Sequence, residues 1–335
     1  AKYSEEAYQL YNALLAPVID WSTAINRITV VPSGRCTYLP FELLISNPSQ
    51  VSAGFQGLDY LIKAYAMNYV YAASLFKQEN QSAQSNSKPS VLAMAPEYDE
   101  VPVEVSLANY QNTRMYRGPL NWNQEEIAQI NDYFPGEYLR GLEATEASFK
   151  AQSAHHNVLH MAMHALVDSE DASRSSLLFA RDDSEGEDGL LFTEELYGMN
   201  LPANMVVLSA CNTGLGQVRE GEGMMSLGRA MAYAGCASIV TSYWAVDDKS
   251  TAELMALFYG ELADGKTKQD ALRNAKLQYL DQARGVAAHP YFWGGFVLFG
   301  EAEPLVRKSS MAWIYGLAVL LLLLVLLYRY RASRS

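Results

Sequence analysis

The sequence predicts an α/β protein built on a mostly parallel sheet with helices on both faces. Three observations lead there. Between about residue 90 and residue 300, short apolar runs alternate with segments of helical period, as strands returning through crossover helices do. Two of the runs, Val158-Leu-His-Met-Ala-Met-His164 and Met205-Val-Val-Leu-Ser-Ala-Cys211, read as buried strands. Each of these two ends in a reactive side chain, and open α/β sheets carry their sites at the carboxyl edge.

Taken in order, residues 3–26 show a helical period through Tyr8, Tyr11, Leu14, Leu15, Val18 and Ile19, kinked at Pro17. Residues 28–31, the turn Pro32-Ser-Gly34 and residues 38–41 read as a β-hairpin leading into 42–45. Residues 65–76 form a short buried or amphipathic segment, and 78–90, rich in Gln, Asn and Ser, a polar linker. Beyond it come a strand at 90–95, a helix at 123–133, a weak strand at 137–140 and a helix at 145–156 opened by a threonine cap. The two strands ending at His164 and Cys211 are separated by a short helix at 193–197 with acids in its first turn. A helix at 223–234, a strand at 237–244 and a helix at 249–263 stopped by Gly265 come next. Thr267-Lys-Gln-Asp270 caps a further helix, and 293–299 is the last strand. The expected organisation is an N-terminal helix and hairpin part (1–77), the linker (78–90), the core (91–303), a membrane helix (311–328) and a short basic tail (329–335).

The membrane expectation rests on residues 311–328, which hold no charge and include five consecutive leucines at 320–324. As a helix they reach about 27 Å, near the thickness of a bilayer core. Arg307 and Lys308 precede the stretch, Trp313 and Tyr315 lie near one end, and Tyr328, Arg329, Tyr330, Arg331 and Arg334 close the other. A buried core helix seldom has leucine on every face and basic residues at both ends. The expectation is a single pass at the C-terminus with the remainder cytoplasmic, since no export signal opens the chain.

With 37 acidic against 25 basic residues the net charge is −12, which argues against nucleic-acid binding. Cys36, Cys211 and Cys236 are too few and too scattered for a disulfide framework or a zinc ribbon.

Side chains two apart in a strand share a face, so His160 and His164 point the same way, and only His164 sits at the strand end where solvent is in reach. His160 reads as a packed, hydrogen-bonded core residue. A zinc site from His160, His164 and Cys211 lacks a further ligand at suitable spacing, so no metal is expected. Cys211 is followed by the flexible turn Asn-Thr-Gly-Leu-Gly. A lone cysteine after Val-Val-Leu is ordinarily a small buried hydrophobe. A thiol beside an imidazole, however, is a nucleophile beside its base. His164 precedes Cys211 by 47 residues, close to the roughly 50 of caspase-type enzymes.

The strings Leu159-His-Met-Ala-Met-His164, Val206-Val-Leu-Ser-Ala-Cys-Asn-Thr-Gly214, Gly221-Glu-Gly-Met-Met-Ser-Leu-Gly-Arg-Ala230, Ser242-Tyr-Trp-Ala-Val-Asp-Asp248 and His289-Pro-Tyr-Phe-Trp-Gly-Gly-Phe-Val-Leu-Phe-Gly300 stand in the order typical of CHAT domains. Val31-Pro-Ser-Gly-Arg35 and Leu39-Pro-Phe-Glu-Leu-Leu44 also resemble the opening of such domains, so the resemblance runs from about residue 3 to 300. It implies a caspase-like α/β fold of the caspase and separase clan. It further implies His164 as catalytic histidine, Cys211 as nucleophile, and the backbone N–H groups of Cys211 and Ala165 as oxyanion donors. Many relatives carry glycine at the position of Ala165. The family pattern also has an aspartate at Asp248; Asp247 and Asp248 read either as the N-cap of the helix at 249–263 or as an acidic pocket favouring a basic P1 residue.

The expected function is that of a membrane-anchored, caspase-like cysteine endopeptidase, cofactor-free, acting on protein substrates in regulated proteolysis or signalling. An upstream tetratricopeptide-like repeat region belongs to that expectation. The alternative is a catalytically weak scaffold module at the membrane.

Overall fold

The structure, a computed structural model, describes residues 2–19, 25–48, 54–72, 89–98, 119–168, 171–181, 186–209, 211–212 and 222–306. Helix α1 (Lys2–Leu14) buries Ala7 and Tyr11 and stops before Pro17, whose ring cannot continue the helical ladder. The expected hairpin does not form. Strand β1 (Arg27–Val30) instead pairs in parallel with β2 (Ala66–Tyr69), and residues 34–38 and 41–43 wind into 3-10 turns between them. Pro32 and Pro40 lack the N–H a hairpin ladder needs, and Gly34 at φ +56° turns the chain away from an extended path.

The core proceeds through β3 (Val91–Pro96), α2 (Asn123–Asn131), β4 (Gly136–Gly141), α3 (Glu146–Gln152) and β5 (Val158–Met161). Three short strands, β6 (His164–Leu166), β7 (Ser176–Leu178) and β8 (Leu190–Phe192), precede α4 (Thr193–Gly198). Then come β9 (Met205–Leu208), β10 (Cys211–Asn212), α5 (Glu222–Tyr233), β11 (Ser238–Ser242), α6 (Asp248–Ala263), α7 (Lys268–Gln282), α8 (Pro290–Trp293) and β12 (Phe296–Gly300).

Eight strands form the main sheet in the order β1-β2-β12-β11-β9-β5-β3-β4, and every pairing is parallel except β11 with β12. The pleat sends alternate residues to opposite faces. On one face Val91, Ala93, Val207 and Val240 pack with Ile127 and Ile130 of α2 and Phe258 and Leu262 of α6. On the other, Leu92, Met94, Val206 and Ile239 pack with Phe149 of α3, Leu196 of α4 and Met231 of α5. This is the helix-flanked, mostly parallel sheet that the alternation predicts. The helix starts read from the sequence are also present: Thr145 accepts from the Ser148 N–H at 3.1 Å and Thr267 from the Asp270 N–H at 3.1 Å, caps worth about 1 kcal/mol each.

The two diagnostic runs are each broken in two. After β5 and β9 the chain leaves the main sheet and enters a second one, ordered β10-β6-β7-β8. In the run ending at His164 a continuous apolar stretch hides this step, because β5 in the large sheet and β6 in the small one are both buried.

The expected single-pass membrane placement is corrected. Among the described residues no helix is long and apolar enough to cross a membrane. The longest, α6 at 16 residues, carries Asp248, Lys249, Glu253 and Glu261 and is buried along one side against the sheet. The stretch 311–328 that carried the expectation, the tail at 329–335 and most of the 78–90 linker lie outside the described residues.

Candidate functional site

Within the parallel part of the main sheet the order β4-β3-β5-β9-β11 reverses its direction of winding between β3 and β5. Such a switch point opens a crevice outside the carboxyl ends of the strands. The chain leaving β5 runs directly to His164, and the chain leaving β9 to Cys211. Met161 and Leu208 are paired in the main sheet, and three residues further on His164 and Cys211 are paired in the small one, with Asn212 opposite Ala165. Both chains make the same three-residue step, so the register is carried from one sheet to the next. Neighbouring strands lie about 4.8 Å apart, and that spacing separates the two backbones.

His164 is 3% exposed, so the expected reach into solvent is not realised. Strand β7 covers β6 on the side away from β10, with His164 opposite Leu178 and Ala165 opposite Leu177. Tyr98, just beyond β3, packs its ring against the imidazole with centroids 4.7 Å apart and 37° between planes. Its hydroxyl accepts from the His164 backbone N–H at 3.0 Å and donates to the Leu178 carbonyl at 2.8 Å. Ala165, expected as an oxyanion donor, is fully buried in the middle of this small sheet.

His160 is separate from this arrangement. It is fully buried on the α2 and α6 face, with Nε2 2.8 Å from Glu126 Oε1 and Nδ1 3.1 Å from the Tyr259 hydroxyl. Both ring nitrogens are engaged there, as a packed core histidine requires. Nearby, Asn123 Nδ2 donates to the Pro96 carbonyl at 2.9 Å and the Ala162 carbonyl at 3.3 Å, tying together the chains that leave β3 and β5.

Asp247 is the N-cap of α6, its carboxylate accepting from the Ser250 N–H at 3.0 Å and the Ser250 hydroxyl at 2.9 Å. Asp248, half-buried, accepts from the Trp122 N–H at 2.9 Å. Burial pushes its carboxyl pKa up, Glu126 and Asp247 add to that, and the backbone N–H groups of Trp122 and Asn121 oppose it. Cys236 is buried, which pushes its thiol up to about 12 and leaves it unreactive.

Among the described residues one set of carboxylates is close enough to hold a cation, Glu146, Glu187 and Glu195. The Lys150 ammonium already sits among them at 2.7, 2.9 and 2.9 Å. This network ties α3 to the turn before β8 and to α4, and so supports the small sheet.

Tyr98 and Glu126 escape a reading of the sequence. Tyr98 lies in a loop with no periodic signal, and Glu126 falls in the acidic first turn of α2, where an acid is usual for dipole reasons alone.

A family model for the CHAT domain matches residues 4–301. Human tetratricopeptide repeat protein 28 is 24% identical over 341 residues, and its mouse counterpart 23% over 346. The aligned part covers 90% of this chain but only 13% of the length of those relatives. Among solved structures, separase in the separase–securin complex of Saccharomyces cerevisiae aligns over 83% of this chain and 16% of its own, with 13% identity and a TM-score of 0.48. The Arg specific cysteine proteinase gingipain R (RgpB), of Porphyromonas gingivalis, aligns over 91% of this chain and 68% of its own, with 10% identity and a TM-score of 0.49.

Proposed function

The chain belongs to the CHAT domain family, and we propose that it is a cysteine endopeptidase with Cys211 as nucleophile and His164 as general base and acid. The observation that carries the reading is the pairing of these two residues, one strand apart, at the carboxyl edge beside the sheet's switch point. The pairing sets the two backbones side by side on adjacent strands, the neighbourhood in which a thiol and its base work.

In this reading the imidazole takes the proton of the Cys211 thiol as sulfur attacks the scissile carbonyl. The oxyanion is met by the backbone N–H groups of Cys211 and Ala165. His164 returns the proton to the leaving amine, and water, deprotonated by the same imidazole, releases the acid and restores the thiol. Asp248, at the same edge of the sheet, is the proposed determinant of a Lys or Arg before the scissile bond. Asp247, committed to Ser250, has a structural part. The substrates are proteins, and the curated relatives support a tetratricopeptide-repeat region acting with this domain to select them.

The burial of His164 favours a second reading, a catalytically silent interaction module. Incubating the protein with a peptide library separates the two. Cleavage that is lost in Cys211→Ala is expected; no cleavage, or cleavage equal in that variant, overturns the peptidase reading.

A further inference from the structure

We propose that Tyr98 is the positioning residue of His164, holding both the backbone and the ring of the general base. The inference rests on the peptidase reading and adds to it a residue from another strand.

His164 is the first residue of a three-residue strand, reached by a chain that has just left the main sheet. Ends of short strands fray unless their backbone groups are tied. His164 and Leu178 are Cα partners in the antiparallel β6–β7 pair. The Tyr98 hydroxyl stands between them, taking the His164 N–H and giving its own proton to the Leu178 carbonyl. One side chain thus fixes the start of β6 and the end of β7 together. Because Tyr98 follows β3, and β3 is the neighbour of β5 in the main sheet, it also links the small sheet to the large one.

The ring contributes separately. An aromatic face packed 4.7 Å from the imidazole restricts its rotation, and its electron-rich surface favours the protonated form. A thiolate–imidazolium pair gains from both effects. The two functions are separable by substitution: phenylalanine keeps the ring and loses the bridge, and leucine loses both.

The test is alkylation of Cys211 by iodoacetate across pH in the full chain, with Tyr98→Phe, Tyr98→Leu and His164→Ala, folding being followed by thermal melts. Iodoacetate is an anion, so its attack is fastest while an imidazolium stands beside the thiolate, and the alkaline limb of the profile reports His164. Tyr98→Phe is expected to lower the maximal rate several-fold with little movement of that limb. Tyr98→Leu is expected to lower the rate further and move the limb down by about half a pH unit. A merely structural role would lower the folded fraction and leave the limb in place. If the wild-type profile depends on His164 but neither Tyr98 variant changes it, Tyr98 has no positioning role. If the wild-type thiol reacts as an ordinary thiol, indifferent to His164→Ala, the peptidase reading fails and the role of Tyr98 with it. Should Tyr98→Leu not fold, the rate in Tyr98→Phe decides: an unchanged rate overturns the proposal.

Discussion

His164 and Cys211 are Cα partners in a parallel ladder, three residues beyond the point at which the strands leading to them pair as Met161 and Leu208. The equal step keeps the pair in register although it has left the main sheet. A site built this way depends on the length of both connections.

A one-residue insertion between Ala162 and Met163 should therefore disable the site while the main sheet survives. A slip of one residue turns a side chain to the other face of its strand, and misplacement of a reacting group by even an ångström costs about 100-fold. Turnover should fall at least that far, with circular dichroism near wild type. Activity within a few-fold of wild type would show that the register does not matter.

Glu126→Ala should cost stability without touching the chemistry. Glu126 and His160 are both fully buried and 2.8 Å apart, and deleting one partner of such a pair costs about 3 kcal/mol. The urea midpoint should drop accordingly, while Cys211 alkylation, measured where the variant is folded, stays the same. A large loss of alkylation would bring His160 back into the mechanism.

Lys268 predicts a pH dependence of stability. Burial, only partly offset by Glu301 and Glu303, pushes its amine down to about 8, against about 10.4 in an unfolded chain. Between those values the unfolded state binds more protons, so stability rises with pH across the window, by up to about 3 kcal/mol. Above about pH 10 the half-buried Tyr3 and the buried Tyr60 and Tyr243 act the other way, since desolvation raises their hydroxyls and the unfolded state ionises first. Urea midpoints at pH 7, 8, 9 and 10 should climb in the wild type and stay nearly flat in Lys268→Met. Equal slopes in both would assign the effect elsewhere.

Asp248→Asn tests the proposed preference for a basic residue. The carboxamide oxygen can still accept from Trp122, so the local structure should persist. The ratio of kcat/KM for Arg over Leu substrates should fall about tenfold or more, as loss of one charge-assisted contact implies. An unchanged ratio would confine Asp248 to its contact with Trp122.

Much of this was legible in the chain because the governing signals are local. Thr145 and Thr267 cap helices through bonds to residues three positions on, and β3, β9, β11 and β12 are apolar runs of the right length. The His164 and Cys211 pair could be read because each closes an apolar run and the strings around them resemble CHAT domains, whereas their step into a second sheet could not. What could not be read depends on distant partners. The prolines at 32 and 40 were visible, yet nothing nearby said that β1 pairs with β2 rather than folding back on itself. Strands β7 and β8 are three residues each, too short for a period to show. Tyr98 owes its place to Leu178, 80 residues away.

Labelling the intact protein with a peptidyl acyloxymethyl ketone, with the adduct located by mass spectrometry, tests whether Cys211 is a nucleophile activated by His164. One adduct is expected, on Cys211, formed by the wild type and lost in His164→Ala, with Cys36 and Cys236 unmodified. No adduct on Cys211, or equal labelling in His164→Ala, would contradict it.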